Sequence, residues 1–130
     1  MFAPALLPLP RLLLVGLDSA LQQDLGRCLP EHPLLVLDSL PETKNDRIEA
    51  LAKAAPDLIL CPMRDRSLGE VLEAAAALEV PVVVVSRLPN AAEWLDALEA
   101  GAADYLAVPF ERRLLEWVLA ANRRAIGAGR

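Results

Sequence analysis

Histidine and cysteine are nearly missing from these 130 residues: the chain has one histidine, His32, and two cysteines, Cys28 and Cys61. A lone histidine supports neither a zinc site nor a histidine-based catalytic relay. Two cysteines make no disulfide framework and no metal-ligand cluster, so a reduced thiol is expected of each. An excess of basic charge is also lacking. The formal net charge is -5, which excludes general attraction to nucleic acid or anionic lipid. Arg112, Arg113, Arg123 and Arg124 are spread among acids along a predicted helix and read as a solvated face. No apolar run approaches the ~20 residues that span a membrane. The apolar start, Met1 to Leu9, has no basic n-region and carries Pro4 and Pro8, with Pro10 just beyond. It reads as an irregular N-terminal arm over residues 1–10 of a cytoplasmic protein, not as a signal peptide.

What is abundant is apolar surface: 55% of residues are hydrophobic and the mean hydropathy is +0.34. A chain of this length forms one domain with a real core. Such richness fits a sheet covered on both faces. Short apolar runs at Leu12–Val15, Leu34–Leu37, Leu58–Cys61, Val82–Val85 and Tyr105–Val108 read as strands. The fourth is the most β-prone, because successive β-branched residues disfavour helix and pack well in a pleated sheet.

Helical spacing alternates with these runs. Leu21, Leu25, Cys28 and Leu29 mark a helix from Ser19 to Leu29, with Asp18 or Ser19 as N-cap. Ile48, Leu51, Ala52 and Ala55 mark one that ends before Pro56. Leu68, Val71, Leu72 and Ala75 mark a helix over Leu68–Leu78, Ala91–Ala100 closes at Gly101, and Leu114, Val118 and Ala121 mark the inward face of Phe110–Arg124. Five βα units with short connections predict a parallel sheet with right-handed crossovers and helices on both faces, and a site outside the carboxyl ends of its strands. The domain is expected over 11–126, with 127–130 a tail or the start of a linker.

At those strand ends the chain resembles the receiver (response-regulator) family of bacterial two-component signalling. The resemblance covers about residues 11–126. Its strongest stretch runs from Pro81-Val82-Val83-Val84-Val85-Ser86 to Ala97-Leu98-Glu99-Ala100-Gly101-Ala102-Ala103-Asp104-Tyr105-Leu106-Ala107-Val108-Pro109-Phe110. The family writes this region as an apolar strand ending in Thr or Ser, then A-L-x-x-G-A-x-x-Y/F-L-x-K-P-F. Pro56-Asp57-Leu58-Ile59-Leu60 is similar to the opening of the family's third strand. The motifs are specific jointly and weak singly. The resemblance implies a flavodoxin-like (βα)5 three-layer sandwich with strand order 2-1-3-4-5.

It also implies where phosphoryl chemistry would sit. The family holds Mg²⁺ on two acids after strand 1, since a hard cation wants carboxylate oxygens. It phosphorylates an Asp ending strand 3, bonds a phosphoryl oxygen with Thr or Ser after strand 4, and offsets charge with a Lys after strand 5. Here the acid pair falls on Gly16 and Leu17, the acceptor on Pro62 and the lysine on Val108, whereas Ser86 and Tyr105 match. Pro109 matches a family residue that usually follows a cis peptide bond. Phosphoryl chemistry is therefore expected to be lost, and with it any enzymatic activity or need of a metal or cofactor.

The remaining signals carry less. Asp18 reads as an N-cap rather than a metal ligand. Arg64, Asp65, Arg66 and Arg87 crowd the loops near the site and read as a surface ion-pair network before an anion site. Cys61 reads as a packed, inert thiol. Ser86 has no histidine partner, so it is no catalytic nucleophile. Ser86 and Tyr105 are the candidate switch pair, with a static role favoured for Tyr105. Trp94 and Trp117, with Tyr105, are candidate interface residues, although tryptophans at helical spacing read equally as partly buried core.

The expected function is a phosphorylation-independent signalling module. Its partner is another protein or a second copy, contacted through the fourth helix, fifth strand and fifth helix, without nucleic acid or membrane. Receiver-like domains ahead of pilus-assembly ATPases are one family setting. The alternatives are a small-anion or nucleotide sensor in the strand-end crevice and, ranked last, an active phosphoryl-accepting regulator.

Overall fold

The computed structural model describes residues 9–63 and 68–122. The predicted arm before residue 9, Arg64, Asp65, Arg66, Arg123, Arg124 and the tail over 127–130 lie outside the described residues. The elements alternate without exception: β1 Leu12–Val15, α1 Ser19–Cys28, β2 Leu34–Leu37, α2 Lys44–Ala54, β3 Leu58–Pro62, α3 Leu68–Ala77, β4 Val82–Ser86, α4 Ala91–Ala100, β5 Asp104–Ala107 and α5 Arg112–Ala121. All strand pairs are parallel, and the sheet order is β2-β1-β3-β4-β5. This is the flavodoxin-like order expected from the sequence.

Strand pleating divides the core. Leu12, Leu14, Leu58, Leu60, Val83, Val85 and Leu106 pack with α1 and α5, whereas Leu13, Val15, Ile59, Cys61, Val82 and Val84 pack with α2, α3 and α4. Successive side chains of a strand point to opposite faces, so a strand buried on both faces is apolar throughout. That is why β1, β3 and β4 are unbroken apolar runs. The edge strand β2 is only partly covered.

Caps set the helix starts. Asp18 accepts from the Leu21 N–H at 2.9 Å, Thr43 from the Asp46 N–H at 3.1 Å and Asn90 from the Glu93 N–H at 2.8 Å. Each satisfies a backbone donor that has no partner within its helix. Helix α4 closes on Gly101 at φ 114, a left-handed position that glycine adopts without steric cost.

Two inward faces differ from expectation. On α2, Leu51 is buried and Ile48 and Ala54 are partly covered, whereas Ala52 and Ala55 are exposed. Ala55 has already left the helix at φ 49, so it no longer continues the stripe. On α5 the buried residues are Leu115, Val118 and Leu119, while Leu114 and Ala121 point outward. The apolar pairs Leu114-Leu115 and Val118-Leu119 permit two stripes, and docking selected the second. Helix α5 starts at Arg112 rather than Phe110, after the cis Val108-Pro109 bond, and ends with Asn122 as C-cap. Strand β5 lies one residue earlier than expected, although the Val108 N–H still donates to the Ser86 carbonyl at 3.1 Å.

Asp57 has a structural role that pattern reading missed. Its Oδ2 accepts from the Arg11 N–H at 2.8 Å, and its own N–H donates to the Arg11 carbonyl at 2.8 Å. The buried carboxylate thus ties the entries of β1 and β3 together.

Candidate functional site

The loops after β1, β3 and β4 meet around a cleft of about 220 Å³, lined by Gly16, Leu17, Asp18, Leu21, Pro62, Met63, Val85, Ser86, Arg87 and Leu88. It lies where a doubly wound sheet places its ligands, at the carboxyl ends of the strands. The structure therefore brings together the predicted positions Gly16, Leu17, Asp18, Pro62 and Ser86. Val108 follows β5 close by, and is packed against the core shared by α1 and α5.

The backbone of this corner is held by a left-handed turn and by strand-end hydrogen bonds. Gly16 stands at φ 74, in the left-handed region. Its N–H donates to the Leu37 carbonyl at 3.0 Å, which closes the end of β1 against β2. Leu17 is 4% exposed and belongs to the core cluster of Leu12, Leu14 and Leu21. Pro62 ends β3 opposite Val85, and the next N–H, of Met63, donates to the Val85 carbonyl at 3.0 Å. Gly16, Leu17, Pro62 and Val108 stand here as turn, core and strand-end residues.

Asp18 is the one carboxylate that lines the cleft among the described residues. One of its oxygens accepts from the Leu21 N–H and the other from the Arg87 guanidinium, across the mouth of the cleft. These two bonds, the helix N–H first and Arg87 second, hold its carboxyl below the usual carboxylate range. Arg87 is thus engaged by an acid rather than offered to an anion. Among the described residues the cleft does not fit Mg²⁺: Gly16 and Leu17 bring no side-chain oxygen, and both oxygens of Asp18 already accept hydrogen bonds. Among the described residues no group of three or more His, Cys, Asp or Glu side chains is placed to hold a metal ion.

Ser86, 3% exposed, forms the polar point of the cleft floor, and its Oγ accepts from the Leu88 N–H at 3.2 Å. The Tyr105 hydroxyl lies beside it and donates to Glu93 Oε1 of α4 at 2.5 Å. Burial and the Glu93 carboxylate push the phenol above its ordinary value. Pattern reading missed Glu93, because nothing local in the chain signals a contact between a helix start and a neighbouring strand. The neutral phenol is favoured in the folded state, so this contact stabilises below the unfolded phenol pKa of about 10 and is lost as pH rises through the folded value. Tyr105→Phe is expected to flatten the alkaline limb of the stability-pH profile above pH about 10, read by urea melts at successive pH values. An unchanged alkaline limb contradicts the contact.

Trp94 and Trp117 are exposed, at 45% and 65%, together with Leu95 and Leu114. On α5, Leu114, Trp117 and Ala121 recur at helical spacing and form an outward stripe. Arg112 occupies the other flank, where it donates to the Cys28 carbonyl of α1 and pairs with Glu31. The stripe therefore faces away from α1. Among the described residues no helix is long and apolar enough to cross a membrane.

No protein-family model and no curated protein matches the sequence significantly. Solved structures do match. The signal receiver domain of a protein described as a Luxo repressor from Vibrio parahaemolyticus superposes with a TM-score of 0.68 at 20% identity, over 90% of this chain and 92% of that one. A response regulator receiver domain protein from Clostridium thermocellum gives 0.66 at 16% identity, over 92% and 96%. A response regulator receiver modulated diguanylate cyclase from Pelobacter carbinolicus gives 0.65 at 22% identity, over 92% and 97%. The chain has the fold of receiver domains.

Proposed function

We propose that this receiver-like fold serves as a phosphorylation-independent signalling module that works by protein contact. One observation carries the reading. Where the family keeps its metal ligands, nucleophile and counter-charge, Gly16, Leu17 and Pro62 line the cleft, Val108 follows β5 beside Ser86, and Asp18 is spent on a helix cap and on Arg87. The contact surface is the border of edge strand β5, where Trp94 and Leu95 on α4 and Leu114 and Trp117 on α5 are exposed. Tryptophan is enriched among residues that dominate binding energy. Tyr105, tied to Glu93, is a fixed part of this border and not a switch that follows phosphorylation. The reading of the crevice as an anion site loses support from the Asp18–Arg87 pair.

Self-association measured by sedimentation tests the surface. Trp117→Glu is expected to weaken it by about tenfold or more, which is about 1.4 kcal/mol or more. The melting temperature should hold, because the side chain lies mostly outside the core. Acetyl phosphate with Mg²⁺ should change nothing. Tightening by the phosphoryl donor, or indifference to both Trp94→Glu and Trp117→Glu, contradicts the proposal. A monomer at every concentration moves the contact to a different protein, to be measured with the same variants.

A further inference from the structure

We infer that the strand-end cleft binds a small uncharged, mainly apolar molecule, between benzene and indole in size, which enters beside the Asp18–Arg87 ion pair. The inference shares one premise with the proposed function, that no phosphoryl group is built in this cleft. It is independent of the surface on α4 and α5.

Size comes first. A dry apolar cavity of about 150 Å³ accommodates benzene, and drug-sized ligands occupy about 300–1,000 Å³. At about 220 Å³ the cleft falls between them. Its walls come next. Leu17, Leu21 and Val85 are buried, Pro62 and Met63 are partly covered, and Leu88 is exposed at the rim. These are apolar side chains of varied shape, and methionine adapts readily to the outline of a ligand.

Charge decides the class of ligand. Among the described residues that line the cleft, Asp18 and Arg87 are the charged ones and neutralise one another, and the second Asp18 oxygen already accepts the Leu21 N–H. An anion would have to pull Arg87 from Asp18 and still lie against leucine, valine and proline. A cation would compete with Arg87 and the helix cap for the same carboxylate. A neutral molecule disturbs neither bond. The buried Ser86 Oγ, beside the bond it accepts from the Leu88 N–H, offers it one acceptor position at the floor. Apolar walls with few placed polar groups are the usual composition of a small-molecule site.

Amide chemical shifts of the full chain, titrated in parallel with indole, benzyl alcohol, inorganic phosphate and ADP with Mg²⁺, test the inference. Saturable shifts with indole or benzyl alcohol are expected at Gly16, Leu17, Met63 and Leu88, and none with phosphate or ADP. Leu88→Glu, at an exposed rim position that folding tolerates, should weaken the neutral probe by about tenfold or more. Met63→Glu should do the same, its folding checked by the dispersion of its spectrum. Saturation by phosphate or ADP alone, saturation by no probe, or neutral-probe shifts centred elsewhere overturns the inference. Phosphoryl uptake at the cleft would defeat the proposed function too. Failure of the neutral probes without uptake defeats this inference alone.

Discussion

Val83→Asp abolishes the cooperative thermal transition, whereas Val36→Asp keeps one within a few degrees of the parent protein. Both valines lie in strands and both become the same acid, so the contrast isolates burial. Val83 is fully buried in β4, paired with Leu60 on one side and Asp104 on the other, in the cluster packed by α1 and α5. A carboxylate there has no cation within its cluster of apolar side chains. Burying an unpaired ion costs several kcal/mol after relaxation, and the lost valine packing adds about 1.5 kcal/mol or more. Domains of this kind have about 5–15 kcal/mol of stability in total. Val36 is 48% exposed on the edge strand β2. Its replacement is set by strand propensity, about 1 kcal/mol or less, which moves the midpoint by about 4 °C at most. Circular dichroism melts of the two variants decide the matter. Equal melting temperatures would contradict the assignment of β4 to the interior and β2 to the rim.

Incubation with acetyl phosphate and Mg²⁺ leaves the mass of the chain unchanged, under conditions that fully modify a receiver domain with a complete acid set. Pro62 offers no nucleophilic oxygen, and nothing at Gly16 or Leu17 can hold the cation that neutralises an incoming phosphoryl group. Single restorations should also fail. Pro62→Asp supplies a nucleophile without a metal or a counter-charge. Leu17→Asp places a carboxylate in the core position that Leu17 fills beside Leu21. Gly16→Asp must adopt φ 74, in the left-handed region, at a cost of about 1–2 kcal/mol. The proposed loss of the chemistry therefore rests on the backbone as well as the side chains. Intact-protein mass spectrometry reads the outcome, and an added phosphoryl group on the parent chain sinks the proposed function.

Much of this was visible along the chain. Buried parallel strands must be apolar on both faces, so β1, β3 and β4 announced themselves as short runs between glycine, proline and polar residues, and the half-covered β2 was also an apolar run, all with bounds accurate to a residue. Asp18 announced a helix start for a similarly local reason, since a cap bonds an N–H three residues away. The positions of Gly16, Leu17, Pro62 and Val108 at strand tips followed from those runs. Local pattern thus settled the order of elements and the parallel sheet, and it put Gly16, Leu17, Pro62 and Val108 at strand tips.

Docking settled the rest. Which of two adjacent stripes on α5 turned inward depended on the contour of the sheet, and the answer was Leu115 and Leu119 rather than Leu114 and Ala121. Arg87 reaches Asp18 across 69 positions, and Tyr105 reaches Glu93 across 12. Helical and strand periodicity carries no information about such pairs, because their geometry depends on how whole elements pack together. For the same reason only the folded chain shows that Leu17 turns into the core and Val108 packs half-buried against it, that the tryptophans stay outside it, and that the described lining of the cleft is mainly apolar with its charges paired.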